Sequence, residues 1–270
     1  IVSWRSSDCP LIAKRVVDRK GINEYTKMLL NCDLGESFGN WRLGRDEEVM
    51  PFLDQANIAT GFHAGDPLTM EQTLALAARH QVSVGAHPSY PDLVGFGRRS
   101  MAMSESELRA VLLYQIAAID GLASVTGARL DYVKPHGALY NDMMANDTVR
   151  STIMRTVSSY PKPLKLMIQA TGDAHIHRQE AEKLGLSLLL EAFADRCYDD
   201  DGRLLSRRKP GAVHSKERML TQVRELADSG SITTVSGKQL TLDIDSLCVH
   251  GDNDEGVQAI REIRSIVSGP

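Results

Sequence analysis

The chain has 270 residues, of which 42% are hydrophobic and 24% are charged. This composition is typical of a globular protein with a large apolar core and excludes a disordered or fibrous chain. The 31 basic and 35 acidic residues give a net charge of −4 without any basic block, which argues against a nucleic-acid partner bound through its phosphates.

The four cysteines are dispersed and form no CxxC pair, which excludes a zinc ribbon and a thioredoxin-like motif. They are Cys9, Cys32, Cys197 and Cys248. We expect reduced, mostly buried thiols and a cytoplasmic protein. No run approaches the roughly 18 apolar residues of a membrane span, and no signal-peptide core is present, so we expect no membrane partner.

The N-terminal segment, residues 1–27, contains neither a clean strand nor a well-capped long helix. We interpret it as an extension outside the fold, and a surface helix over residues 11–19 is the alternative. From Met28 onward, short apolar strands alternate with amphipathic helices. The predicted strands are 28–32, 56–59, 82–86, 130–134, 164–168, 186–190, 232–235 and 246–249.

Two of the predicted helices begin with a capping-box pattern. Thr69-Met70-Glu71-Gln72 predicts one helix start, and Ser104-Glu105-Ser106-Glu107 predicts another, because each places Glu or Gln three residues after a Ser or Thr. Further helices are predicted near 147–158, 174–184, 215–229 and 253–266.

Strand–helix alternation through seven or eight units implies a parallel sheet with right-handed crossovers. A closed (β/α) barrel is favoured because such barrels commonly need about 250 residues, and a doubly wound open sheet is the alternative. No Pro-, Gly- or Ser-rich linker divides the chain, so we predict one barrel domain over residues 28–270.

Reactive side chains follow the predicted strands. They are Asp33, Glu36, His63, Asp66, His87, Lys134, His136, Glu191, Asp195, Arg196, His250 and Asp252. The carboxyl ends of parallel strands meet at one rim, so we predict that these residues line a single pocket. Strand–helix loops are also rich in Asp and His for turn and capping reasons, which explains any one of them alone better than the joint set.

The chemistry of this set allows two interpretations. Asp33, His63 and His87 can ligate a divalent metal that activates a bound water. Without a metal, Asp33, His63, His87 and His136 can act as general acids and bases. Lys134 can face an oxyanion or a phosphate, although a salt bridge to a carboxylate explains it equally well.

The remaining residues of the set are predicted to bind substrate. They are Glu36, Asp66, Glu191, Asp195, Arg196, His250 and Asp252. Arg196 is the second candidate for holding an anion, again with a salt bridge as the alternative.

Several common catalytic and nucleotide-binding motifs are absent from the sequence. There is no GxxxxGK[ST] phosphate loop and no GxSxG nucleophile elbow. Gly95-Phe96-Gly97-Arg98-Arg99 lacks the third glycine and the preceding strand of a dinucleotide fingerprint. Cys197 is interpreted as a packing residue.

Six segments of the chain resemble the motifs of the LamB/YcsF family. They are NCDLGESFG (31–39), ANIATGFHAGDP (56–67), VGAHPSYPDLVGFGRR (84–99), YVKPHGALYN (132–141), EAFADRCY (191–198) and CVHGD (248–252). The resemblance covers roughly residues 29–267. Thr60 stands where the family usually has Cys, and Ser89 where Gly is frequent, which weakens the idea of a catalytic thiol at position 60.

The resemblance implies a divergent TIM-like barrel related to the glycoside hydrolase and deacetylase barrels. It also implies the A subunit of an ATP-dependent 5-oxoprolinase, which converts 5-oxo-L-proline to L-glutamate with ATP and Mg²⁺ and works with partner subunits B and C. A homo-oligomer is compatible with this expectation. A metal-dependent carbohydrate deacetylase and a non-catalytic chain that presents 5-oxoproline are the alternatives.

Overall fold

The structure, a computed structural model, describes residues 28–207, 209–250 and 254–268. The predicted extension over residues 1–27 lies outside the described residues, as does Asp252.

Seven parallel strands close into a barrel in the order β1-β2-β3-β4-β5-β6-β9. Closure is made by β9, which pairs with β6 on one side and with β1 on the other. The strands are nearly all buried, as expected for a sheet covered on both faces. Their bounds are β1 Leu29–Leu34, β2 Gln55–Ala59, β3 Ser83–His87, β4 Leu130–Val133, β5 Lys165–Gln169, β6 Leu188–Phe193 and β9 Ser246–Cys248. The barrel prediction is confirmed with seven strands.

The predicted barrel strand over 232–235 is wrong. Ser231–Thr233 (β7) pairs antiparallel with Gln239–Thr241 (β8) in a separate two-stranded sheet. Only Ile232 of β7 is fully buried, whereas a barrel strand buries both of its faces. The alternation of Ile with Ser and Thr is therefore the pattern of a one-sided ribbon.

Helices cover the outside of the barrel. They are α1 Asp46–Val49, α2 Pro67–Arg79, α3 Glu105–Thr126, α4 Gly137–Ala145, α5 Asp147–Ser158, α6 Ala174–Glu182, α7 Lys216–Ser229 and α8 Asp254–Ser268, and a 3₁₀ turn spans Met50–Phe52. The capping box at Ser104 and Glu107 is confirmed, since each side chain bonds the backbone of the other. The box at Thr69 is wrong, because α2 begins earlier, with Asp66 as its cap and Pro67 in its first turn.

Helix α3 corrects one expectation drawn from composition. By length and composition alone, its 22 residues could cross a membrane, with a mean hydropathy of 1.4 over an 18-residue window. In the fold it packs between α2 and α5 and against β3 and β4. A third of that window is buried, and the buried face, which includes Leu112, Ile116 and Ile119, belongs to the core.

Candidate active site

The Asp33 carboxylate, on β1, meets side chains from three other strands. Its Oδ1 accepts hydrogen bonds from Asn57 Nδ2 at 2.8 Å and from Lys134 Nζ at 2.9 Å. Its Oδ2 lies 3.3 Å from His87 Nε2. Burial alone would raise the pKa of Asp33, but the neighbouring His87 and Lys134 hold that pKa well below its usual range. Asp33 is therefore an ionised carboxylate at neutral pH.

The Lys134 ammonium, directly after β4, is clamped between carboxylates. Its Nζ lies 2.9 Å from Asp33 Oδ1 and 2.7 Å from Glu191 Oε1. Burial would lower the pKa of Lys134, but Asp33, Cys248 and Glu191 raise that pKa well above its ordinary value. Glu191 also accepts a hydrogen bond from the Tyr140 hydroxyl at 2.9 Å. The salt-bridge interpretation of Lys134 is therefore realised, and its contact with an oxyanion stays a prediction.

Three histidines from the ends of β2, β3 and β4 lie against one another. His87 Nδ1 is 2.7 Å from the carbonyl oxygen of Lys134, and His136 Nε2 is 2.9 Å from that of Phe96. The two inner nitrogens, His87 Nε2 and His136 Nδ1, are 2.9 Å apart. His63 stacks on His136 with ring centroids 3.7 Å apart and an interplanar angle of 7°.

Glu36 joins these histidines in a buried group that could bind a metal ion. Glu36, His63, His87 and His136 each offer one donor atom, and the four atoms lie within 4.8 Å of one another. Burial, followed by the nearby His136 and His87, lowers the pKa of His63 well below its usual value. Its imidazole is therefore neutral and able to act as a ligand.

The group differs from the predicted metal set, because Asp33 lies outside it. Asp33 belongs to a second group of potential donors with Cys248 and His250. The Lys134 ammonium contacts both the Asp33 carboxylate and, at 3.3 Å, the Cys248 sulfur. A fixed cation therefore already occupies that part of the barrel.

Gly97 permits the close packing of the histidines. Its φ is +62°, and a Cβ at this position would lie 2.8 Å from His63 Cβ and 2.9 Å from His136 Cδ2. Any side chain here would push the two imidazoles apart, and the positive φ also favours glycine. The loop after β3 thus closes over the histidine cluster.

A second acid–base pair stands beside Asp33. His250, just after β9, has its Nδ1 2.9 Å from both carboxylate oxygens of Asp195. Burial would raise the pKa of Asp195, but His250 lowers it below the ordinary value. The side chains of His250 and Asp33 are 12% and 10% exposed, whereas that of His87 is 1% exposed. Asp33 and His250 are therefore the least buried side chains of the network.

With this geometry in place, comparison with known proteins identifies the family. The family model described as "LamB/YcsF family" matches residues 28–269. The chain belongs to the LamB/YcsF family.

LamB/YcsF relatives cover almost the same length. A relative from Pseudomonas putida, named as a 5-oxoprolinase A subunit, is 52% identical over 93% of this chain and 97% of its own. The 5-oxoprolinase A subunit of Chromohalobacter salexigens is 53% identical over 89% of this chain and 97% of its own. The crystal structure of a lactam utilization protein from Thermus thermophilus has a TM-score of 0.80 and 37% identity, covering 88% of this chain and 95% of that one.

Two of the predicted substrate-binding residues of this LamB/YcsF chain have structural partners instead. The Asp66 carboxylate caps α2 through the Leu68 and Thr69 amides and also accepts from the Gly39 amide. Arg196 donates to the carbonyl oxygens of Ala212 and Leu205 in the loop after β6. Their contacts with substrate stay predictions.

Sequence reasoning missed the polar residues inside the strands. Asn57, in the middle of β2, donates to Asn31 and Asp33 and accepts from the Tyr132 hydroxyl at 2.6 Å. The sequence does contain a signal for these residues. Asn31 and Asp33 are two positions apart and so lie on the same face of β1, and Asn57 is a polar residue within an otherwise apolar predicted strand. It also missed helix α4, which carries Tyr140 to Glu191.

Proposed function

We propose that this chain is the lactam-hydrolysing component of an ATP-dependent 5-oxoprolinase, which converts 5-oxo-L-proline to L-glutamate. The observation that carries the proposal is the ionised Asp33 carboxylate held between Lys134, Asn57 and His87. The choice of substrate is supported by relatives at 52% and 53% identity, both named as A subunits of 5-oxoprolinase.

In this proposal, Asp33 accepts a proton from the water that attacks the lactam carbonyl carbon. Its fixed position is an advantage, because a general base must lie within hydrogen-bond reach of the proton it takes. Lys134 keeps Asp33 ionised and supplies positive potential near the developing oxyanion. His250, oriented by Asp195, delivers a proton to the lactam nitrogen as the C–N bond breaks, which leaves the free amine of glutamate.

ATP is the proposed cosubstrate, with Mg²⁺. A five-membered lactam closes readily because its amine and carboxyl are held together, so its opening must be driven. Phosphorylation of the lactam oxygen makes the ring carbon electrophilic. Water adds to that carbon and the C–N bond breaks, which leaves an acyl phosphate, and a second water then hydrolyses the acyl phosphate to glutamate and phosphate. The chain has no GxxxxGK[ST] phosphate loop, which favours partner subunits B and C as contributors to nucleotide binding.

We place the assembly in the cytoplasm. Cys32, Cys197 and Cys248 are buried free thiols, and reduced cysteines are typical of that compartment. The word "subunit" in the names of the relatives supports partner chains.

The test is ATP-dependent glutamate release by this chain purified together with its two partner subunits. Asp33→Asn should lower kcat about 10²–10⁴-fold, the usual contribution of a general acid or base, with the assembly intact. Asp228→Asn makes the same change on the exposed face of α7 and should leave kcat unaltered. Turnover of Asp33→Asn close to wild type would reject the role of Asp33.

The buried Glu–His group also favours a second candidate, a metal-dependent deacetylase of carbohydrates. Such an enzyme would release acetate from acetylated sugars as the isolated chain and without ATP. A chain that only presents the lactam to its partners would bind 5-oxoproline yet tolerate Asp33→Asn. The isolated wild-type chain, the wild-type assembly and the Asp33→Asn assembly, assayed for acetate, glutamate and 5-oxoproline binding, separate the candidates.

A further inference from the structure

The geometry points to a binding site for one zinc-class divalent ion between Glu36, His63, His87 and His136. Its four residues are 7%, 1%, 1% and 4% exposed, compared with 9% for Asp33. The site shares His87 with the Asp33 network, but ion binding can be measured without substrate or partner subunits, so its test does not depend on the proposed hydrolysis.

The hydrogen bonds of two histidines require a positive charge between them. A carbonyl oxygen only accepts hydrogen bonds, so His87 Nδ1 facing Lys134 O and His136 Nε2 facing Phe96 O must both carry hydrogen. Two neutral rings would then turn bare lone pairs toward each other across the 2.9 Å between His87 Nε2 and His136 Nδ1. Either an extra proton or a metal ion must lie between these atoms.

His63 decides between the proton and the metal. It is 1% exposed, and within the described part of the chain neither of its ring nitrogens has a hydrogen-bond partner. A buried imidazole nitrogen without a partner carries the full cost of its lost hydration. A proton shared by His87 and His136 would leave His63 unsatisfied, whereas an ion gives its nitrogen a partner.

The four donor atoms lie near the spacing that a tetrahedral site needs. With metal–nitrogen distances of about 2.0–2.1 Å, donor atoms lie about 3.4 Å apart. Three of the six separations between the four donors are 2.9 Å for His87 Nε2 to His136 Nδ1, 3.7 Å for His63 Nε2 to Glu36 Oε1, and 4.0 Å for His136 Nδ1 to Glu36 Oε1, and all six lie within 4.8 Å. The first value is shorter than the tetrahedral edge and the other two are longer, so the donors must shift to bind an ion. Three imidazoles with one carboxylate favour zinc or cobalt over magnesium.

Binding requires one side-chain movement. His63 and His136 lie parallel, so their lone pairs do not converge until one ring turns out of the stack. His87 is perpendicular to both rings, with centroids 5.5 Å from His63 and 4.8 Å from His136, and needs no such movement.

The experiment is a titration of the chelator-treated full chain with Zn²⁺ against a chromophoric chelator, with bound metal counted by elemental analysis. We expect one Zn²⁺ per chain. His63→Ala should weaken binding more than about 100-fold, since loss of even an outer-shell partner costs about 10–100-fold. His175→Ala, which removes an exposed histidine from α6, should bind like wild type.

Glu36→Gln is a second test variant in case His63→Ala does not fold, because it keeps the side-chain shape and removes only the charge. It should also weaken Zn²⁺ binding and should change the visible spectrum of the Co²⁺-loaded chain. No stoichiometric Zn²⁺ in wild type would overturn the site and leave the shared proton as the explanation. Equal binding by wild type, His63→Ala and Glu36→Gln would overturn it as well, whatever the outcome of the glutamate assay.

Discussion

At the residue scale, the charge arrangement inside the barrel depends on Lys134. Its ammonium is 2% exposed and contacts the carboxylates of both Asp33 and Glu191. Removal of one partner from a buried ion pair is far more costly than replacement of the whole pair, because an uncompensated charge stays behind. The Lys134 contacts should therefore be visible as stability as well as activity.

We predict that Lys134→Met lowers the free energy of unfolding by about 3–5 kcal/mol, measured by chemical denaturation at neutral pH. The double variant Lys134→Met/Asp33→Asn should recover part of the lost unfolding free energy, because one of the two carboxylates that lost the ammonium is then replaced by a neutral amide. A loss below about 1 kcal/mol for the single variant would mean that water or a bound cation replaces the ammonium.

The sequence predicts which residues belong to the site but not which residues they contact. Asp33, His63, His87 and His136 were predicted to meet because each follows a parallel strand, and they lie in one connected network. The partners could not be predicted, because they depend on register. Asn57 reaches Asp33 only because Asn57 and Asp33 are paired across β1 and β2.

At the element scale, helix α2 shows how a correct helix can be given the wrong start. The pattern Thr69–Gln72 satisfies the capping-box spacing, yet Asp66 is the cap, and its carboxylate accepts from the Leu68 and Thr69 amides. Asp66 also accepts from the Gly39 amide at 2.7 Å, which ties the loop after β1 to α2. This last contact joins segments 27 residues apart, so no local pattern could reveal it.

We predict that Asp66→Ala destabilises the chain by about 0.5–2 kcal/mol at neutral pH, the usual value of an N-cap. Asp66→Asn should cost less, because Asn caps almost equally well. Gln72→Ala, which alters an exposed residue of the rejected capping box, should have no measurable effect in thermal or chemical unfolding. A cost for Gln72→Ala equal to that of Asp66→Ala would restore the capping-box interpretation.

The effect of Asp66→Ala should also depend on pH. The hydrogen bonds from the Gly39 and Thr69 amides lower the pKa of Asp66 in the folded chain. Its charged form therefore stabilises the fold fully above the unfolded pKa of about 3.9, and this contribution is lost as the pH falls through the lower folded pKa. The difference in unfolding free energy between wild type and Asp66→Ala should narrow below about pH 4.

At the scale of the whole molecule, strand–helix alternation was sufficient to predict a closed barrel but not its seven strands. The segment 232–235 has the length and composition of a barrel strand, and only its pairing with β8 places it outside. Barrel closure is decided by β9, a strand of three residues that bonds to both β6 and β1. Such a short strand has no distinctive period, so its role follows from tertiary pairing alone.

Within the described residues the barrel is already closed, because β1 pairs with β2 on one side and with β9 on the other. The family match likewise begins at residue 28. We therefore predict that a chain starting at Met28 has the same unfolding midpoint and the same glutamate release as the full chain.

A matched truncation that starts at Asn31 tests whether this measurement can detect damage at the same end. It removes Leu29 and Leu30, which pair with Ser246 and Leu247 of β9, together with the fully buried Leu30 side chain. Burial of a leucine contributes about 1.5–3 kcal/mol, and the lost pairing opens the barrel seam. The shorter chain should therefore unfold at lower temperature, whereas an equal loss for the chain starting at Met28 would mean that residues 1–27 contribute to the stability of the barrel.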